Sequence, residues 1–176
     1  MRFADDRRIL ISTAAPAAPR LKFRREVSRR AILDGAWWPH SHDPVVEVSN
    51  LVAALDARQV PVTKIMLNPA GWDSHPRRIE VAGRTVRIGW FTTLDAELLI
   101  ATTGGDQRVD LLVVSPDAPS ATADAAMTTA SGGSDALTAA AVREATSAQT
   151  PEPPTSQSLA EADWESEGGQ VSAIGQ

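Results

Sequence analysis

Tryptophan, histidine and aspartate crowd into one short run, Asp34-Gly35-Ala36-Trp37-Trp38-Pro39-His40-Ser41-His42-Asp43-Pro44. It holds two of the five tryptophans and two of the three histidines. His40-x-His42-Asp43, with His75 further on, has the residue types of a metal site. A zinc centre, however, uses three or four ligands, and the chain has no cysteine to supply the missing ones. No metal and no cofactor is therefore expected. Trp37, Trp38 and Trp72 are an aromatic set suited to a flat or cationic ligand, or equally to packing at the rim of a sheet. In a strand adjacent tryptophans point to opposite faces, so at most one of Trp37 and Trp38 is expected to enter the core, the other staying on the surface or over a loop. Asp34 and Asp73 are a candidate carboxylate pair for acid–base work, although each stands beside Gly or Trp, where turn chemistry also explains it.

Further constellations are weaker. Arg77, Arg78, Arg84 and Arg87 fall on one hairpin, and Arg20, Lys22 and Arg24 on another strand; as neighbours they would form an anion- or nucleic-acid-binding patch. The net acidity of the central segment argues against nucleic acid. Gly104-Gly105 is not followed by the Lys-Ser/Thr that grips phosphate, and no nucleophile elbow, zinc-protease or kinase pattern occurs.

Charge divides the chain. Residues 1–30 carry +6, residues 31–117 carry −4 and residues 118–176 carry −7, within a net charge of −5. The absence of cysteine excludes disulfide and thiolate chemistry and fits a reducing compartment. No apolar run reaches the roughly 20 residues of a membrane helix. Ile9-Leu10-Ile11 is also shorter than a signal-peptide core of about 7–15 residues. These features lead us to expect a soluble cytoplasmic protein with no membrane partner.

Strands, helices and turns can be assigned on both sides of the tryptophan stretch. Residues 1–19, with Ala14-Ala15-Pro16-Ala17-Ala18-Pro19, read as a disordered extension. Arg20–Val27 alternates as a basic edge strand, and Ala31-Ile32-Leu33 reads as a second short strand. Asp43 caps a helix opening with Pro44, and Val48, Leu51, Val52 and Leu55 form its apolar stripe as far as Arg58. Val62–Leu67 is a strand closed by Asn68-Pro69-Ala70-Gly71. A hairpin joins Ile79–Val81 to Val86–Trp90 around Ala82-Gly83, and a second joins Glu97–Thr102 to Arg108–Val114. The apolar run Leu111–Val114 suits the middle of a sheet. Ser120 starts an Ala-rich helix to about Thr129.

Residues 131–176 carry too little apolar surface to offset ordering entropy and read as a disordered acidic tail rich in Pro, Ser, Thr and Ala. Within it, Asp135–Ala145 and Ser158–Glu167 are helical islands too short to stand alone. The expected fold is α+β, a mainly antiparallel sheet of five or six strands with two helices, on a domain spanning residues 20–130.

Taken together, the Asp34–Pro39 hexapeptide, the acid-capped helix, Trp72-Asp73, the Arg-rich hairpin and the Leu111–Pro116 strand resemble an uncharacterised family of actinobacterial proteins, known mainly as a domain of unknown function. The likeness covers about residues 20–130, and Trp164-Glu165 followed by Gly168-Gly169 resembles the family's endings. It implies an actinobacterial source and a shared small domain, and no activity. His40 and His42 depart from it, since the family pattern favours arginine at both places. Anion binding is the function that histidine and arginine share there, and a helix N-terminus favours it, but Asp43 already places negative charge at that helix end.

The readings that follow are three. The first is a non-enzymatic binding or protein-interaction module, using a loop surface of Asp34, Trp37, Trp38, His40, His42, Trp72 and Asp73, with Trp164 of the acidic tail docking a protein partner. The second is an enzyme whose pocket is built from Asp34, His40, His42 and Asp73. The third is anion or nucleic-acid binding through the Arg-bearing strands.

Overall fold

The computed structural model describes residues 9–13, 17–25, 32–132 and 138–148. Eleven elements follow one another: β1 (Leu10–Ile11), β2 (Arg20–Phe23), β3 (Gly35–Trp38), α1 (Pro44–Ala57), β4 (Val62–Leu67), β5 (Arg78–Val81), β6 (Arg84–Trp90), β7 (Leu98–Thr103), β8 (Arg108–Val113), α2 (Ser120–Gly132) and α3 (Ala139–Ala148). The strands form one sheet in the order β1-β5-β6-β4-β7-β8-β3-β2.

This corrects the expected sheet. Among the described residues it has eight strands and is mixed: β1 with β5, β3 with β8, and β4 with β6 pair parallel, the rest antiparallel. Three helices accompany it among the described residues, not two. The extra strand β1 comes from the segment read as an extension, and the extra helix α3 from the segment read as tail. The strand expected at Ala31–Leu33 is displaced: Ile32 and Leu33 are not in a strand, and Gly35–Trp38 forms β3 instead. Ser158–Glu167 and Trp164 lie outside the described residues.

Local chemistry explains the elements that did form as expected. Asp43 Oδ1 accepts from the Val45 N–H (2.9 Å), and Pro44 occupies the first helical turn of α1. The helix ends with Gln59 in the left-handed region (φ 63°). There the Val60 N–H reaches Leu55 O and the Gln59 N–H reaches Asp56 O, satisfying carbonyls the helix leaves open. The β5–β6 hairpin turns at Ala82 and Gly83, both with positive φ (51° and 77°), the geometry of a two-residue turn that matches strand twist.

Two cores result. On one face, α1 packs Val48, Leu51, Val52 and Leu55 against Trp37, Ile65, Leu67, Ile79, Val86, Leu99, Leu111 and Val113. On the other, α2 and α3 bring Ala123, Ala126, Met127, Ala130, Ala139 and Val142 to Leu33, Ala36, Trp38, Leu112 and Val114. The β8–β3 region is therefore covered on both sides, which is why Leu111–Val113 is apolar at every position. It also corrects the expectation for the tryptophans. They do point to opposite faces, yet both are buried, Trp37 fully and Trp38 with 8% exposed.

β3 is held tightly from its other side as well. A Cβ built on Gly35 would lie 2.1 Å from Lys22 O and 3.0 Å from Phe23 Cα, both backbone atoms of β2. On Gly89 it would meet only the Phe91 ring, at 2.7 Å, and Phe91 is an exposed side chain free to swing away. Gly35→Ala should therefore lower the unfolding free energy by about 1–3 kcal/mol, as overpacking does, and Gly89→Ala by clearly less. Urea denaturation followed by tryptophan fluorescence checks this, and equal costs would contradict the packing described.

Candidate functional site

Strand direction decides which loops meet. β3, β8, β4 and β6 run one way and their neighbours β2, β7, β5 and β1 run the other. The segments 39–43, 68–77, 91–97 and 114–119 consequently emerge at the same end of the sheet. It is the carboxyl end of the parallel strands, where open sheets with helical connections commonly bind ligands.

The loops are tied to one another by polar groups. Glu47 of α1, only 3% exposed, accepts the His40 N–H (3.0 Å) and the Ser41 hydroxyl (2.9 Å). Asn68 donates to Leu94 O (2.6 Å) and accepts the Ala70 N–H (2.8 Å). The Asp73 N–H reaches His42 O (3.0 Å), and the Val114 N–H reaches Trp37 O (2.9 Å). His75 Nε2 lies 2.9 Å from Pro69 O, and its ring meets Trp90 edge-on with centroids 4.9 Å apart.

His42 is the hub. Its Nδ1 stands 2.6 Å from Gly71 O and its Nε2 2.9 Å from Asp117 Oδ2. Only the protonated imidazolium donates from both nitrogens. The Gly71 carbonyl first, then the Asp117 carboxylate, raise its pKa above the ordinary 6.5.

Beside it, Trp72 stacks on Trp37 with ring centroids 5.8 Å apart and planes 19° from parallel. Their partnership leaves a cleft of about 290 Å³ walled by His42, Gly71, Trp72, Glu97, Ser115 and Pro116, with Ala70, Ala96 and Val113. The Trp37 and Trp38 ring N–H groups are buried without a hydrogen-bond partner among the described residues.

The expected site residues separate. His42, Trp72 and, beneath them, Trp37 come together, with the Asp73 backbone bonded to His42. Trp38 lies on the opposite face of the sheet. His40 turns to Ala18 O (Nε2 3.2 Å), so the two histidines have different partners. Asp34 is at the other end of β3, about 13 Å from Trp38 at strand rise. There it exchanges bonds with Asp110: its N–H to Asp110 O (2.7 Å), and the Asp110 N–H to its Oδ2 (2.8 Å). Burial pushes its carboxyl above the usual range. The arginine strands do not merge either, because five strand spacings, about 24 Å, separate β6 from β2. Arg84 is bound to Asp56 and Val62 O, and Arg20 lies 3.4 Å over the Trp38 ring.

Glu97 and Ser115 join the cleft from hairpin and loop positions that carried no signal of their own, since only the topology brings them beside His42. Glu47 was legible in principle. It stands four residues before Leu51, on the apolar stripe of α1, where a carboxylate calls for internal donors.

A model of the family of unknown function DUF5994 matches residues 20–130. The chain belongs to DUF5994. No curated protein and no solved structure matches it. The match ends before α3 and starts after β1, so both elements lie outside the DUF5994 region. Among the described residues no helix is long and apolar enough to cross a membrane.

The His42 geometry fixes a sign for pH dependence. A raised folded pKa means the stabilisation is fully present below the unfolded value near 6.5 and fades as pH rises through the folded value. An NMR titration should place His42 above 6.5, with Asp117→Asn moving it back down. His42→Ala should flatten the fall in stability over that window, and a His42 pKa at or below 6.5 would contradict the arrangement.

Proposed function

We propose that this DUF5994 protein is a non-enzymatic binding module whose recognition site is the cleft between His42, Trp72 and the 114–119 segment. One observation carries the reading: an apolar, tryptophan-walled hollow of about 290 Å³ with a few polar groups at its rim, at the end of the sheet where four loops meet. That volume suits a small molecule or a single protruding side chain. The groups around it support binding rather than catalysis. His42 has both ring nitrogens engaged in holding loops, and Asp34, the carboxylate that would complete an acid–base set, stands at the far end of β3. The acidic tail with Trp164 is a second contact for a protein partner in this reading, and the cysteine-free sequence supports a cytoplasmic setting.

Fragment screening by two-dimensional NMR tests it. Shift changes should cluster on residues 42, 70–72, 96–97 and 113–116. They should vanish in Trp72→Ala, which keeps Trp37 and the fold while losing the outer indole. Hits that map elsewhere, or persist in Trp72→Ala, would move the function away from this cleft.

A further inference from the structure

A second hollow adjoins the cleft. It measures about 150 Å³ and lies between the end of β8, α2 and α3, with Leu112, Val114, Ala126 and Val142 among its walls. Glu97, Val113 and Ser115 line both hollows. At this junction Glu97 Oε2 receives Arg143 Nη1 of α3 at 3.1 Å, the carboxylate side chain 33% exposed and the arginine 56%.

Building on the cleft reading above, we propose that Glu97 is the counter-ion for an organic cation, an ammonium or guanidinium carried on an apolar or aromatic body, and that Arg143 occupies that cation's place in the free protein.

Four observations lead here. Glu97 is the carboxylate on the wall of both hollows, and its half-burial disfavours a bare charge; burial raises its pKa while the Arg143 guanidinium pulls it back down. Among the residues that line the cleft Glu97 is the one carboxylate, and Asp117 beside it is already engaged by His42. Next to Glu97 the cleft offers Trp72, one face of which is taken by Trp37, so the other face or edge is what a ligand would meet, and indole is the best aromatic partner for a cation. The remaining walls, Ala70, Ala96, Val113 and Pro116, suit an apolar body. Finally, the resident guanidinium is a movable one. It is the single base of residues 118–176, it stands on a ten-residue helix outside the DUF5994 region, and more than half of its own side chain is exposed, which weakens the ion pair. Ala139 and Val142 hold α3 to the domain independently of Arg143, so the arginine can leave Glu97 without the helix leaving α2.

Titration calorimetry on the full chain tests this with phenethylamine and agmatine as cations and phenylacetate as an anion of matched shape. Phenethylamine should bind the native chain and bind Arg143→Gln about two- to fivefold more tightly, the gain expected from removing a partly exposed competing pair. Glu97→Gln should lose that binding in either background while keeping the native circular dichroism. If phenylacetate binds in a Trp72-dependent way and the amines do not, or if Glu97→Gln binds phenethylamine as the native chain does, the cation assignment falls and the cleft reading stands. If no probe binds the native chain or Arg143→Gln, both fall.

Discussion

The structure depends on β3 being wedged between β8 and β2 with both of its faces covered. A strand in that position can present no side to water. Trp37 therefore enters the α1 core and Trp38 the α2–α3 core from consecutive residues. Each indole removes roughly 150–250 Å² from solvent, an upper estimate of about 4–6 kcal/mol apiece. Against this stand two indole N–H groups buried without partners, which cost about 1–3 kcal/mol each. Burial wins, and the tryptophans anchor the parallel pairing of β3 with β8, where Trp37 lies opposite Val113.

That pairing also makes the loop end. Because β3 and β8 run together, the segments that leave them, 39–43 and 114–119, emerge side by side, and α1 and α2 then depart to opposite faces. His42 closes the gap between them and reaches the 68–77 segment besides. The cleft walls are thus fixed by charge-assisted and backbone bonds rather than by packing alone. Two routes converge on α1 at this point: Asp43 caps its first turn, and Glu47, one turn in, collects the loop donors. A helix start and a loop anchor share one turn of chain.

The parts legible beforehand were those set by local pattern. The Asp43-Pro44 opening, the stripe Val48-Leu51-Val52-Leu55, the Val62–Leu67 strand and the Ala82-Gly83 turn carry their own instructions, and each forms where its residues indicate. The placement of Leu111–Val113 inside the sheet was readable for the same reason, since a strand apolar on both faces must be covered on both. The two hairpin pairs were readable from their turns, but the parallel partners were not. Parallel pairing leaves no turn between partners to mark it, so β3 with β8 and β4 with β6 are joined across residues 39–107 and 68–83 without a local sign. β3 itself was obscured because Gly35 and the two tryptophans suggest a loop, whereas Gly35 is there so that the β2 backbone can approach. Of the candidate site, His42 and Trp72 stood out by residue type, while Glu97 looked like any exposed acid at the start of a hairpin.

The two elements outside the DUF5994 region address problems that a DUF5994 sheet alone would leave. Without β1, strand β5 would be an open edge, its N–H and C=O row available to another chain. β1 covers it with a parallel pair of only two residues, Leu10 on Ile79 and Ile11 on Glu80, enough to block the edge while burying little. The opposite edge, β2, lies within the family region and is managed differently. It is four residues long and carries Arg20 and Lys22, which reach to the Trp38 and Pro39 carbonyls and to Thr128 of α2. α3 serves a face rather than an edge, covering Trp38's side of the sheet beside an Ala-rich α2 whose side chains are too small to do so alone. Edge and face protection together explain why short, weakly patterned segments dock at all. Each meets a site that the sheet itself leaves unfinished, and the docking of α3 is what brings a basic side chain to Glu97.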